Sequence, residues 1–85
     1  MKKHLRFFAS VRETLGLGSE TISVPEQSDS VGAVRHLLIE RGGVWAAALG
    51  EQRALRMAYN QQMANADTPI ADGGEIAFFP PVTGG

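Results

Sequence analysis

The chain has 85 residues, with eight Lys or Arg against nine Asp or Glu, a net charge of −1 and no cysteine. That length suits a single core, and the balanced charge removes the positive field that binding to a phosphate backbone requires. Without a thiol there is no disulfide framework, no thiolate nucleophile and no sulfur chemistry carried on a side chain.

A domain this small buries only roughly 60 to 65% of the surface its unfolded chain exposes, so support from a partner is expected. Lys2 and Lys3 resemble the start of a signal peptide, but Arg6 and Arg12 interrupt the apolar run that has to follow. No segment approaches the ~20 apolar residues of a membrane span. The expectation is a soluble, cytoplasmic protein with no nucleic-acid or membrane partner.

In chain order, HLRFFASV alternates Leu5, Phe7, Ala9 and Val11 with Arg6, Phe8, Ser10 and Arg12, the period of a half-buried strand. Phe8 is an aromatic on the polar side. RETLGLGSE, with glycines at 16 and 18, reads as a turn or single helical turn, and ETISV alternates Ile22 and Val24 up to Pro25. The two strands predict a hairpin over residues 4–25.

Ser28, Asp29 and Ser30 offer helix N-caps, and Val31, Val34, Leu37 and Leu38 recur at helical spacing until Gly42 and Gly43. VWAAALG predicts a second, short helix that sets Trp45 and Leu49 on the core. ALRMAYN and QMANA read as two strands joined near Asn60 and Gln61, with Leu55, Met57 and Tyr59 on one face. DTPIADGGE is turn chemistry. EIAFF is a last strand with Ile76 and Phe78 on one face and Ala77 and Phe79 on the other, ended by Pro80, which cannot donate to a ladder. The domain is expected over 1–79, with 80–85 as a flexible diglycine tail.

Chemistry on side chains finds little support. Gly16 and Gly18 begin a G-x-G pattern, but Thr21 occupies its third glycine position and no long helix follows. His4 and His36 lack metal-ligand spacing, and the serines, acids and histidines nominate no triad or carboxylate pair.

The C-terminal FFPPVTGG is different. Terminal residues are commonly loose and small, yet two final glycines have a chance of roughly 0.5% at average usage. Pro80 and Pro81 fix φ and keep the last strand from absorbing the tail. Extended, residues 80–85 reach roughly 20 Å, enough to enter another protein's active site. Gly84 and Gly85, having no Cβ, can pass a narrow channel behind the lead of Val82 and Thr83. The terminal carboxylate is ionised at neutral pH and a poor electrophile until it is esterified or adenylated, which implies an ATP-using partner.

FFPPVTGG, RFFASVRE, the YNQ turn and DGGEIAFF together resemble the MoaD family, the small subunits of molybdopterin synthase and ubiquitin-like sulfur carriers. The resemblance covers the whole chain in length and element order. It implies an α+β fold of the ubiquitin-like β-grasp class: a mixed sheet packed on one main helix, first and last strands adjacent.

By that resemblance, a ubiquitin-activating-like adenylyltransferase joins AMP to Gly85, and sulfur then replaces a carboxylate oxygen to give a thiocarboxylate. The large synthase subunit receives the tail, with Gly84 and Gly85 at the reacting end, and builds the molybdopterin dithiolene from a cyclic pterin phosphate. A heterotetramer of two small and two large subunits is implied. No permanently bound cofactor and no metal are expected, only the transient AMP adduct and sulfur at Gly85.

With first and last strands adjacent, Phe8 and Phe79 fall on one face near the root of the tail and form a candidate partner anchor. Pro80, Pro81, Val82 and Thr83 continue it. Arg12, expected to end the first strand on that face, is a candidate for pairing with a partner carboxylate. Two other readings stay open: a sulfur carrier for thiamin thiazole synthesis, and a ubiquitin-like modifier or plain binding module.

Overall fold

The computed structural model describes residues 1–81. Its elements run β1 (Lys2–Phe7), α1 (Ala9–Leu15), β2 (Ser19–Ser23), α2 (Val31–Ile39), α3 (Val44–Leu49), β3 (Arg56–Tyr59), β4 (Gln62–Ala64) and β5 (Glu75–Phe79). The strands form one mixed sheet in the order β2-β1-β5-β3-β4. β1 and β5 run parallel, pairing Leu5 with Ile76 and Phe7 with Phe78, while β2 and β3 flank them antiparallel. The expected adjacency of first and last strands is therefore present.

Alternation along β1 sends Lys3, Leu5 and Phe7 inward and Lys2, His4 and Arg6 outward. Leu5 and Phe7 join Ile76 and Phe78 of β5, Met57 of β3, and Val31, Val34 and Leu38 of α2 in one core. The Phe7 and Phe78 rings stack with centroids 6.0 Å apart, and Trp45 of α3 meets Phe7 edge-on at 5.7 Å. Burying one such phenylalanine stabilises the fold by about 2–3 kcal/mol, so this pair does much to hold β1 against β5.

Helix α2 starts where expected. Ser30 is extended and its hydroxyl accepts from the Ala33 N–H at 3.1 Å, satisfying one of the unpaired amides of the first turn. The YNQ turn has a similar local logic: Asn60 and Gln61 both take positive φ, closing β3 onto β4. The Asn60 side chain then accepts from the Glu75 N–H at 3.0 Å, tying that turn to the start of β5.

The first expected strand is too long. The chain turns at Ala9, which has φ 51°, and residues 9–15 form α1, absent from the sequence-based element order. Leu5, Phe7, Ala9 and Val11 fit period two, but Val11 and Leu15 also sit four apart, and Gly16 at φ 77° closes a helix by donating its N–H to the Arg12 carbonyl at 2.9 Å. That left-handed cap is the glycine's role here. The hairpin of residues 4–25 is real, as β1 pairs with β2, but its connection carries this helix. Arg12 accordingly does not end the first strand or share its outward face; it sits in the middle of α1.

Candidate partner interface

The outward face of the sheet carries the site residues. Cross-strand register sets Arg6 beside Ala77, Ala77 beside Ala58 and Ala58 beside Met63, one row across four strands. The next row holds Phe79 beside Arg56. Phe8 extends β1 by one residue into that row, its N–H donating to the Phe78 carbonyl at 3.2 Å. The two alanines form a low floor, nearly hidden among larger neighbours, while Phe8 is 41% and Met63 64% exposed.

The result is a shallow apolar patch walled by Phe8, Phe79 and Met63. An exposed and a half-buried phenylalanine with an exposed methionine around a small-residue floor have the composition of an interface core. Arg6 and Arg56 edge it with positive charge. The Arg6 guanidinium carbon lies 5.4 Å from the Phe8 ring centroid, within cation–π range, and its nearest carboxylate, Glu75, is 3.8 Å away. Such a half-exposed ion pair is worth about 0–1 kcal/mol and leaves Arg6 free to exchange partners.

Phe8 and Phe79 therefore occupy one face at the end of β5 from which the tail departs. Pro80 follows directly and lines a groove with Val11 and Leu55. Pro81 is half-buried and outside regular secondary structure. Arg12 is not brought into the patch. It is exposed on α1 beside Gly18, where an added β-carbon would meet its Nε at 3.2 Å. Val82, Thr83, Gly84 and Gly85 lie outside the described residues.

Met63 was missed from the sequence: only the structure shows that Ala64 packs toward the core, which turns its strand neighbour Met63 to the other face. His4 contacts Thr21 Oγ1 at 3.1 Å and His36 contacts Glu40 at 3.1 Å, both at the surface. Among the described residues, no three His, Asp or Glu side chains gather in a metal-sized group. No helix there is long and apolar enough to cross a membrane.

The patch, the parallel β1–β5 pair and the glycine tail can be set beside known proteins. The molybdopterin synthase sulfur carrier subunit of Escherichia coli (strain K12) is 43% identical over 79 residues, covering 93% of this chain and 94% of that protein. A chain from the complex of subunits 1 and 2 of the Helicobacter pylori 26695 molybdopterin-converting factor superposes with a TM-score of 0.68 at 27% identity, covering 100% of both chains. SAMP1 of Haloferax volcanii superposes with a TM-score of 0.76 at 24% identity, again over 100% of both, a likeness of fold. The β-grasp architecture is thus the one found, and the profile of the ThiS family matches residues 5–85. This chain belongs to the ThiS family, with a sulfur carrier subunit of molybdopterin synthase as a near full-length relative.

Proposed function

We propose that this chain is the sulfur carrier of a molybdopterin synthase, delivering sulfur on the carboxyl group of Gly85. The observation that carries the reading is the 43% identity, sustained over 93% of the chain, to a relative of that name. The absence of cysteine fits a carrier whose sulfur sits on a backbone terminus.

The chemistry follows from the carboxylate. Ionised at neutral pH, it resists attack because oxide is a poor leaving group. Joining it to AMP, with release of pyrophosphate from ATP, supplies a leaving group. A sulfur nucleophile then adds to the carbonyl carbon and AMP departs, leaving a thiocarboxylate. The chain contributes no catalytic group; it presents a narrow glycine end, and the enzymes it visits supply the activation and the transfer to the pterin.

Docking falls to the open sheet face. Phe8, Phe79 and Met63 would seat an apolar projection of the partner, and Arg6 and Arg56 favour an acidic rim around it. The large synthase subunit and an adenylyltransferase related to ubiquitin activation are the partners, the former in a heterotetramer of two small and two large subunits. The segment from Pro80 onward carries the glycines into the partner's active site. Arg12, on α1 and off the patch, is a peripheral contact at most.

Supplying the loaded carrier to large molybdopterin synthase subunit and, separately, to thiazole synthase tests the assignment. Molybdopterin with the first and no thiazole with the second is the expected result. The reverse moves the chain to thiamin synthesis, and full activity after removal of Gly84 and Gly85 overturns the carrier reading.

A further inference from the structure

An activated glycine carboxyl is an acyl donor to any accessible amine. The sequence holds two lysines, Lys2 and Lys3, adjacent on β1. Strand alternation separates their fates. Lys3 is 0% exposed, paired across the sheet with Ile22, and its Nζ donates to the Ala71 carbonyl. Lys2 points to the open face and is exposed.

The backbone of Lys2 is held firmly while its side chain is not enclosed. Its N–H donates to Asp72 Oδ1 at 2.6 Å, its carbonyl accepts from the Gly73 N–H at 2.8 Å, and it pairs with Ser23 of β2. It lies six positions before Phe8, roughly 20 Å along the strand, so it stands at the opposite end of the face from the partner patch. The Met1 amine is partly buried and donates to the Val24 carbonyl at 2.9 Å.

We propose that Lys2 Nζ is an acceptor site for the activated C-terminal glycine of a second copy, and the only side-chain amine of this sequence that can serve. The donor's identity rests on the carrier reading; the acceptor's does not. In the step, the unprotonated amine adds to the carbonyl carbon of the acyl adenylate and the C–N bond forms. The C–O bond to the phosphate breaks, AMP leaves with the electron pair, and the amine's proton passes to solvent. The product is an isopeptide-linked dimer, formed when no sulfur nucleophile intercepts the adenylate.

Two arms test this. In the first, the folded chain is treated with the N-hydroxysuccinimide ester of acetyl-Val-Thr-Gly-Gly and the adducts are mapped by mass spectrometry. Lys2 should react at least about a hundredfold faster than Lys3, because Lys3 reacts only through opening of β1, and the difference should vanish in guanidinium. Comparable rates in the folded chain, or a label on the Met1 amine with Lys2 untouched, would overturn the proposal. In the second, the chain is incubated with its adenylyltransferase and ATP but no sulfur source, with pyrophosphate release reporting adenylation. A dimer linked through Lys2 and lost in Lys2→Arg is expected. Adenylation without that dimer refutes the acceptor role, whereas failure of adenylation counts against the carrier reading and leaves the first arm to decide Lys2.

Discussion

Phe7 and Phe8 are chain neighbours, as are Phe78 and Phe79, yet each pair is divided between the two faces of the sheet. Phe7 and Phe78 are 1% and 0% exposed and stack inside the core. Phe8 and Phe79 look outward beside the start of the tail, over a floor of alanines. The strand period of two makes this division, so a single FF dipeptide supplies one residue to folding and one to recognition. The inward face is buried within the chain, whereas among the described residues the outward face leaves Phe8 and Met63 exposed with Phe79 half-buried beside them.

The largest effect should come from exchanging the members of one pair. Phe78→Ala removes a fully buried ring and should cost about 3–5 kcal/mol, a large share of the stability of so small a domain. Thermal unfolding should show Tm lowered by more than about 12 °C or no cooperative transition. Phe79→Ala should cost less than about 1.5 kcal/mol but weaken large-subunit binding tenfold or more by calorimetry. Equal losses of stability in the two variants would erase the distinction between faces.

Next in size is Gly74→Ala. The glycine backbone lies directly against the Tyr59 ring, whose hydroxyl accepts from the Ala71 N–H at 2.8 Å. A methyl group there has to displace the ring, which should cost about 1–3 kcal/mol in denaturant unfolding while the outward patch keeps its residues.

The smallest effect concerns Asp72. The Lys2 N–H hydrogen bond holds its carboxyl below the ordinary carboxylate range, with burial opposing and the N-terminal amine and Lys3 assisting. A lowered folded pKa adds stability that is fully present above the unfolded value of ~3.9 and is lost as pH falls through the folded one. Urea midpoints should therefore decline below about pH 4, and Asp72→Asn should flatten part of that decline. An unchanged acid limb in the variant would show that Asp72 does not contribute.

Much of this was legible in the sequence. The last strand, its two faces and its proline stop follow from EIAFFPP, and α2 follows from Ser30 and the spacing of Val31, Val34 and Leu38. Helix α1 was hidden because Val11 satisfies both periods, and only the backbone turn at Ala9 decides between them. Arg12 moved off the patch for the same reason. Met63 and Lys3 depend on cross-strand register, which a three-residue strand and an apparently polar N-terminus do not announce. The tail stands apart: Val82 to Gly85 lie outside the described residues, and its role is proposed from the order of proline, glycine and carboxylate alone.

Whether Gly85 carries sulfur is decided by the intact mass of the chain after incubation with its adenylyltransferase, ATP and a sulfur source. A gain matching exchange of one oxygen for sulfur is expected, located at Gly85 by fragmentation and absent when Gly85 is deleted. An unchanged mass in the presence of confirmed adenylation, or sulfur found anywhere other than Gly85, would contradict it.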